Sequence, residues 1–154
     1  MNLEPIRKIV CAVDFSDITL ATLEQSVDLA RKYGAHLVIM NVVNERLFEG
    51  LERVQGRIGG LEGVADQAIA ALEEERAEKL RELLGQVDLA GLPHTARIAL
   101  GVPWEKILEV AGEEQADLIV LGAKGRSALV RALRFGSSAE KVFRRAACRT
   151  LFVR

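Results

Sequence analysis

The sequence has few cysteines and no long hydrophobic run. Its two cysteines, Cys11 and Cys148, lie far apart, and each stands among apolar neighbours. This is typical of small buried side chains in a reducing compartment rather than of a disulfide or metal pair. No uninterrupted apolar stretch approaches the roughly 20 residues that span a bilayer. The start shows no basic segment followed by an apolar run. We therefore expect a cytoplasmic protein with no membrane partner.

Histidines and aromatic residues are also scarce. His36 and His94 have no cysteine or carboxylate at the spacing of metal ligands, so no metal site is predicted. Aromatic residues make up 5% of the chain and do not alternate with the basic residues, which argues against nucleic acid as a partner. The sequence lacks G-x-x-x-x-G-K-[ST], and its first strand lacks G-x-G-x-x-G. These absences argue against a P-loop nucleotidase and a dinucleotide-binding domain.

What the sequence does contain is a marked separation of charge. The chain has 154 residues, of which 49% are hydrophobic and 28% charged, and we predict one domain spanning residues 1–154. Residues 122–154 hold nine of the 21 basic side chains and a single acid, Glu140, although the whole chain has a net charge of −1. A basic end on an acidic body favours an anionic ligand or partner near that end.

Apolar runs alternate with amphipathic stretches along the chain. The apolar runs predict strands at 6–13, 36–43, 96–100, 117–121 and 151–153. Three- and four-residue apolar spacing predicts helices over 17–33, 61–84, 103–111 and 137–146. Residues 44–60 are predicted to be a mobile connection holding a single helical turn, because four glycines interrupt them. The order predicts a Rossmann-like α/β fold, in which a doubly wound five-stranded parallel sheet carries helices on both faces.

Local signals place the ends and faces of these helices. Ser16 is the predicted N-cap of the first helix, with Asp17 in its first turn. Ser137 or Ser138 is predicted to cap the last helix. The charged run Glu73–Lys79 is predicted to form the outer face of the longest helix, away from the sheet.

The glycine-rich stretch at residues 122–138 is the strongest candidate for a binding site. It follows the fourth strand, at the sheet edge where doubly wound folds bind ligands. Gly122 and Gly125 would let the backbone approach a ligand, and the helix that opens at Gly136 would offer N–H groups to a phosphate. Basic residues would add positive charge: Lys124, Arg126, Arg131 and Arg134. The same residues would equally form a basic surface turn, and the glycine pattern alone does not decide between the two.

Asp14 follows the first strand at the same predicted edge. Its carboxylate is placed to accept a hydrogen bond from an adenine amino group or a ribose hydroxyl, or else to hold the approach to the helix beside Ser16. Ala12 and Val42 would line an apolar slot next to it, and both are equally ordinary core residues. The sequence leaves both interpretations open.

These segments together resemble the universal stress protein family over essentially the whole chain. The similar segments are 9–16 (IVCAVDFS), 101–103 (GVP), 116–122 (ADLIVLG), Gly125, 136–142 (GSSAEKV) and 147–153 (ACRTLFV). The resemblance implies a five-stranded parallel α/β domain that forms a cytoplasmic homodimer through its last strand. It also implies binding of ATP, with or without Mg²⁺, by members that carry the motif G-x2-G-x9-G-[ST].

Carried over by position, the resemblance implies a set of nucleotide-binding residues. Asp14 would contact adenine, with Ala12 and Val42 beside it. Ribose and phosphates would be held by Gly122, Gly125, Gly136 and Ser137, to which the argument from the residues adds Ser138 and Arg126. The sequence departs from the motif in one respect, since ten residues, 126–135, stand between the second and third glycines where the motif has nine.

We therefore predict an ATP-binding stress-response homodimer in which nucleotide occupancy is a signal. The apolar strand at 151–153 would be an unpaired edge in a monomer, which independently favours a dimer. Two alternatives stay open. One is a nucleotide-independent interaction module whose basic end binds an acidic protein partner, and the other is a slow ATP hydrolase, for which no catalytic residue is assigned.

Overall fold

The computed structural model describes residues 4–124 and 135–154, and its centre is a parallel sheet. The strands are β1 (Lys8–Ala12), β2 (His36–Asn44), β3 (His94–Gly101), β4 (Leu118–Gly122) and β5 (Arg149–Val153). Their order is β3-β2-β1-β4-β5, and every neighbouring pair is parallel. The chain thus builds one half of the sheet from β1 outward and then crosses back to build the other half. The predicted doubly wound, five-stranded α/β fold is confirmed.

Helices cover both faces of this sheet. They are α1 (Thr19–Tyr33), α2 (Glu49–Gln55), α3 (Val64–Leu84), α4 (Pro103–Glu113) and α5 (Ser137–Arg145), and a 3-10 turn (Glu45–Leu47) precedes α2. Buried residues of α1 and α3 pack in one core cluster, and buried residues of α4 and α5 pack in the other. These four helices therefore each bury an apolar stripe against the sheet, whereas α2 has no buried residue.

The two core clusters share the strands by alternation. In β1, Ile9 and Cys11 pack on the α1/α3 face, whereas Val10, between them, packs on the α4/α5 face. All three are fully buried. This is the expected behaviour of a parallel strand with helices on both sides, and it explains why the strands are continuous apolar runs in the sequence.

The side-chain caps predicted for the first and last helices were wrong, although the last helix begins at residue 137 as predicted. No side chain caps α1, whose N-cap is Ile18, and no acid lies in its first turn. Asp14 instead holds the turn that precedes α1, since its Oδ1 accepts hydrogen bonds from the Ser16 N–H at 3.0 Å and from the Thr19 hydroxyl at 3.2 Å. At α5 the N-cap is Gly136, again without a side-chain hydrogen bond, and the two serines that follow it are the first helical residues.

The segment after β2 is more regular than predicted. Residues 45–55 form the 3-10 turn and α2, and Gly50 lies inside that helix. A glycine inside a helix costs about 1 kcal/mol relative to alanine, which lowers helix stability but does not prevent a helix. Leu47, Leu51 and Val54 of this segment are exposed.

Strand β5 lies at one edge of the sheet, which is the position that pairing with the last strand of a second chain would need. Phe143 of α5 is 64% exposed and packs edge-on against Phe152 of β5, with 6.1 Å between ring centroids. In the described part of the chain, no helix is both long enough and apolar enough to cross a membrane.

Candidate functional site

A cavity of about 560 Å³ opens at the carboxyl ends of β1, β2 and β4. The strand order reverses between β1 and β4. From β1 the chain continues to β2 and β3 on one side of the sheet, and it then returns to form β4 and β5 on the other side of β1. A crevice at such a switch point is where doubly wound sheets bind ligands. The fold thus creates the cavity where the sequence predicts a site.

One wall of the cavity is apolar. It is formed by side chains that pack toward the α4/α5 face of the sheet: Ala12, Met40, Val42, Ile107 and Leu121. A wall of this composition removes water from a flat apolar group and offers it few hydrogen bonds. It therefore suits the face of an aromatic base.

Asp14 stands at the rim of the same cavity. Both of its hydrogen bonds within the described residues, from Ser16 and Thr19, end on Oδ1. Oδ2 is thereby left as an acceptor for a ligand. The two interpretations of Asp14 drawn from the sequence are compatible, because one carboxylate has an oxygen for each.

Asn41 of β2 brings a buried polar group to the cavity. It is 3% exposed, lines the cavity, and donates through Nδ2 to the Val13 carbonyl at 2.8 Å. Its Oδ1 accepts no hydrogen bond from the residues that the structure describes. A buried acceptor without a donor costs about 1–3 kcal/mol, so a donor from water or a ligand at this position would stabilise the site.

The start of α5 also borders the cavity. Gly136, Ser137 and Ser138 all line it. The Gly136 N–H is used within the loop, where it donates to the Ala123 carbonyl at 2.7 Å. No side chain caps the helix, so the first-turn N–H groups and the positive end of the helix dipole are directed at the cavity end. This arrangement attracts an anion such as phosphate.

Gly122 also lines the cavity, and the structure gives a second reason for its small size besides the expected approach of a ligand. A Cβ at Gly122 would lie 2.5 Å from Cδ1 and 3.0 Å from Cγ1 of Ile18, at the start of α1. The contact of Ile18 with the end of β4 therefore favours a glycine here, because any larger residue would displace the Ile18 side chain. The backbone of Gly122 remains part of the cavity wall.

Arg76 of α3 was missed by the sequence analysis. It lies in the run assigned to an outer charged face, yet it is half-buried and lines the cavity. Its guanidinium carbon stands 5.6 Å from the centroid of the Phe15 ring, which places it over the residue that follows Asp14. No sequence signal distinguishes it from neighbouring charged residues. Asn41, in contrast, is visible in the sequence as a lone polar residue within an apolar strand.

The structure brings seven of the nine predicted site residues to one cavity. They are Ala12, Asp14, Val42, Gly122, Gly136, Ser137 and Ser138. The other two, Gly125 and Arg126, lie outside the described residues. Most of the ten-residue spacing between Gly125 and Gly136 lies outside them as well.

A model of the universal stress protein family matches residues 5–154. The chain belongs to that family. Universal stress protein MJ0531 of Methanocaldococcus jannaschii is 32% identical to this universal stress protein over 148 residues, which cover 96% of this chain and 82% of that protein.

Solved structures of family members share its fold. Universal stress protein UspA from Lactobacillus plantarum has a TM-score of 0.80 at 24% identity, covering 99% of this chain and 100% of that one. The universal stress protein of Archaeoglobus fulgidus in complex with dAMP has a TM-score of 0.62 at 20% identity, covering 98% and 100%. A universal stress protein in complex with cAMP has a TM-score of 0.60 at 22% identity, covering 97% and 98%.

Proposed function

We propose that this universal stress protein binds an adenine nucleotide in the cavity and that the occupancy of the site is its signal. The observation that carries the proposal is the combination, in one cavity, of an apolar wall, the Asp14 carboxylate and the uncapped start of α5. The wall suits a base, Asp14 suits an amino or hydroxyl donor, and the helix start suits phosphate. The volume of about 560 Å³ lies within the usual range of small-molecule sites, about 300–1,000 Å³.

Two family members support the ligand class. One was solved with cAMP and another with dAMP, and both ligands combine adenine with a phosphate. For this chain the similarity to the glycine motif, with ten residues in place of nine between Gly125 and Gly136, favours ATP, with or without Mg²⁺, as the form bound in the cytoplasm.

Calorimetric titration of ATP into nucleotide-free protein, with and without Mg²⁺, tests the proposal. We expect saturable heat at about one ATP per chain. Absence of heat at millimolar ATP would overturn nucleotide binding.

Asp14→Asn is the sharpest variant for this test. The asparagine keeps an oxygen at Oδ1 for Ser16 and Thr19, and it replaces Oδ2 by a donor. We expect ATP affinity to fall about tenfold, the effect of losing a hydrogen bond to a charged acceptor, with little change in melting temperature. Unchanged affinity would limit Asp14 to holding the start of α1.

The edge of the sheet supports a homodimer through β5. Leu151, Phe152 and Val153 are partly buried on a strand that has one edge unpaired among the described residues, and Phe143 stands exposed beside them. Long apolar edges are normally covered in soluble proteins. Light scattering at micromolar concentration is expected to give the mass of two chains, and Phe143→Arg should shift it toward one. A monomer mass for the wild type would contradict the dimer.

An interaction module that works without nucleotide is the second candidate, and the basic side chains of α5 favour it. Arg144 pairs with Glu140 at 2.9 Å, and the guanidinium carbon of Arg145 stands 4.9 Å from the Trp104 ring centroid. These contacts hold two cations on the helix, where an acidic protein would meet them. Charge reversal at both arginines should abolish recovery of such a partner, whereas Asp14→Asn should leave it unchanged.

A further inference from the structure

We infer that Arg76 is a phosphate-directed cation of the nucleotide site and that it makes affinity depend on the number of phosphates. The inference rests on the proposed function and adds a residue and a selectivity to it. Arg76 belongs to α3, which packs on one face of the sheet, and the anion-attracting start of α5 belongs to the other face. Both line the same cavity, so a ligand between them would meet positive charge on two walls.

The balance of charge around the cavity gives Arg76 its importance. Among the lining residues that the structure describes, the ionisable side chains are Asp14 and Arg76. Asp14 repels the phosphate groups of a ligand even while it accepts a hydrogen bond from the base or ribose, and two charges at a half-buried rim interact more strongly than they would in bulk water. Arg76 offsets that repulsion. Without it, the described rim would present a net negative charge to a triphosphate.

The position of Arg76 is set by the turn that also presents Asp14. Phe15 follows Asp14 directly, and the guanidinium carbon of Arg76 lies over its ring, 5.6 Å from the ring centroid. Its backbone has φ of +60°, in the left-handed region that an aromatic residue rarely adopts. An observed outlier of this kind is a feature that the surrounding structure must maintain. Here it places an aromatic platform next to the carboxylate and below the arginine.

Phosphate is the part of the ligand that Arg76 matches. A guanidinium has only donors, arranged to contact two phosphate oxygens at once, and phosphate oxygens are acceptors. A purine base is instead accommodated by the apolar wall, which belongs to the α4/α5 side of the cavity. If Arg76 contacts phosphate, its removal must weaken ATP more than AMP, and AMP more than adenosine. A purely structural arginine would weaken all three equally.

Calorimetry with adenosine, AMP and ATP on four proteins tests this ordering. The proteins are the wild type, Arg76→Gln, Arg76→Lys and the control Lys79→Gln. Lys79 lies about one turn further along α3, pairs with Glu75, and borders a separate surface depression. Lys79→Gln removes one positive charge, as Arg76→Gln does, but removes it away from the cavity. We expect Arg76→Gln to weaken ATP about tenfold and adenosine less than about twofold. Lys79→Gln should leave the ratio of the two affinities unchanged.

Arg76→Lys keeps the test independent of one variant's folding. It retains a cation but loses the paired donors, so a smaller loss that is again specific to the phosphorylated ligands is expected. Equal loss for adenosine and ATP, or the same change in Lys79→Gln, would overturn the inference while leaving nucleotide binding intact. Failure of the wild type to bind ATP would instead overturn the proposed function, and the inference with it.

Discussion

The variant Gly122→Ala distinguishes between two explanations for the glycine at the end of β4. One reason is close approach of a ligand to the backbone, and the other is room for Ile18. The structure supports the second, since a Cβ would lie 2.5 Å from Cδ1 and 3.0 Å from Cγ1 of Ile18. Gly122 does not occupy the left-handed backbone region, so alanine carries no conformational penalty there. Any destabilisation by Gly122→Ala therefore measures the contact.

The size of the effect follows from which atoms can move. Cδ1 of Ile18 can turn away about the last side-chain bond, whereas Cγ1 moves only if the whole side chain leaves its rotamer. An off-rotamer side chain costs about 0.5–1.5 kcal/mol, and an added methyl in a packed site about 1–3 kcal/mol. We expect Gly122→Ala to lower the free energy of unfolding by about 1–2 kcal/mol. For a chain of this size that lowers the melting temperature by about 2–8 °C.

A double-mutant cycle with Ile18→Ala tests the origin of this loss, because alanine removes both Cδ1 and Cγ1. Urea unfolding of the wild type, both single variants and the double variant should give a favourable coupling of about 1 kcal/mol. Additive effects would refute the reasoning. ATP affinity of the same four proteins completes the test. If room for Ile18 is the cause, the double variant regains stability and affinity together; if ligand approach needs the glycine, affinity stays low.

Three further predictions follow from individual contacts. Gly101 has φ of +151°, so Gly101→Ala should destabilise by about 1–3 kcal/mol, and trimming the adjacent Lys106 should not restore stability in urea. Burial raises the pKa of the Cys11 thiol to about 12, so a thiol reagent at about pH 8 should modify Cys11 only after unfolding. The Lys8 hydrogen bond lowers the pKa of Glu114 below 4.5. The stabilisation that this ion pair provides is lost as pH falls through that lowered pKa. Because Lys8→Met removes the ion pair at every pH, it should reduce the drop in urea midpoint between about pH 5 and about pH 3.

The position of the cavity could be predicted because it follows from strand direction alone. Parallel strands end at one edge, so residues that follow β1 and β4 must meet once the alternation of strand and helix is recognised. This brings Asp14 and Gly136 together without any knowledge of side-chain packing. The apolar wall follows in the same way, because alternation along a strand fixes which face Ala12 and Val42 share.

Arg76 could not be predicted because its position depends on how α3 is rotated about its axis. The apolar spacing of α3 is clear near Leu80 and Leu83, which are buried, but Val64 at its start is exposed. A run of charges between these points is compatible with several rotations. Packing of the helix against the sheet then selects the rotation, and it places one charge of the run at the cavity.

The hydrogen bonds at the start of α1 also could not be predicted, because they depend on a contact outside the local segment. The segment 14–17, Asp-Phe-Ser-Asp, offers three side chains that can each accept a backbone N–H, and local preference ranks them almost equally. The hydrogen bond of Asn41 to the Val13 carbonyl fixes the chain just before this segment. With that point fixed, Asp14 reaches the N–H of Ser16 and the hydroxyl of Thr19.

Asp14 also provides a physical route from the site to the rest of the fold. Its Oδ1 holds the start of α1, and α1 packs in the same core cluster as Leu151 and Val153 of the edge strand β5. A ligand that binds Oδ2 adds a constraint to the carboxylate, so the turn before α1 should open less often. We expect ATP to slow hydrogen exchange at the backbone amides of Ser16 and Thr19. Identical exchange with and without bound ATP would contradict a signal that passes through α1.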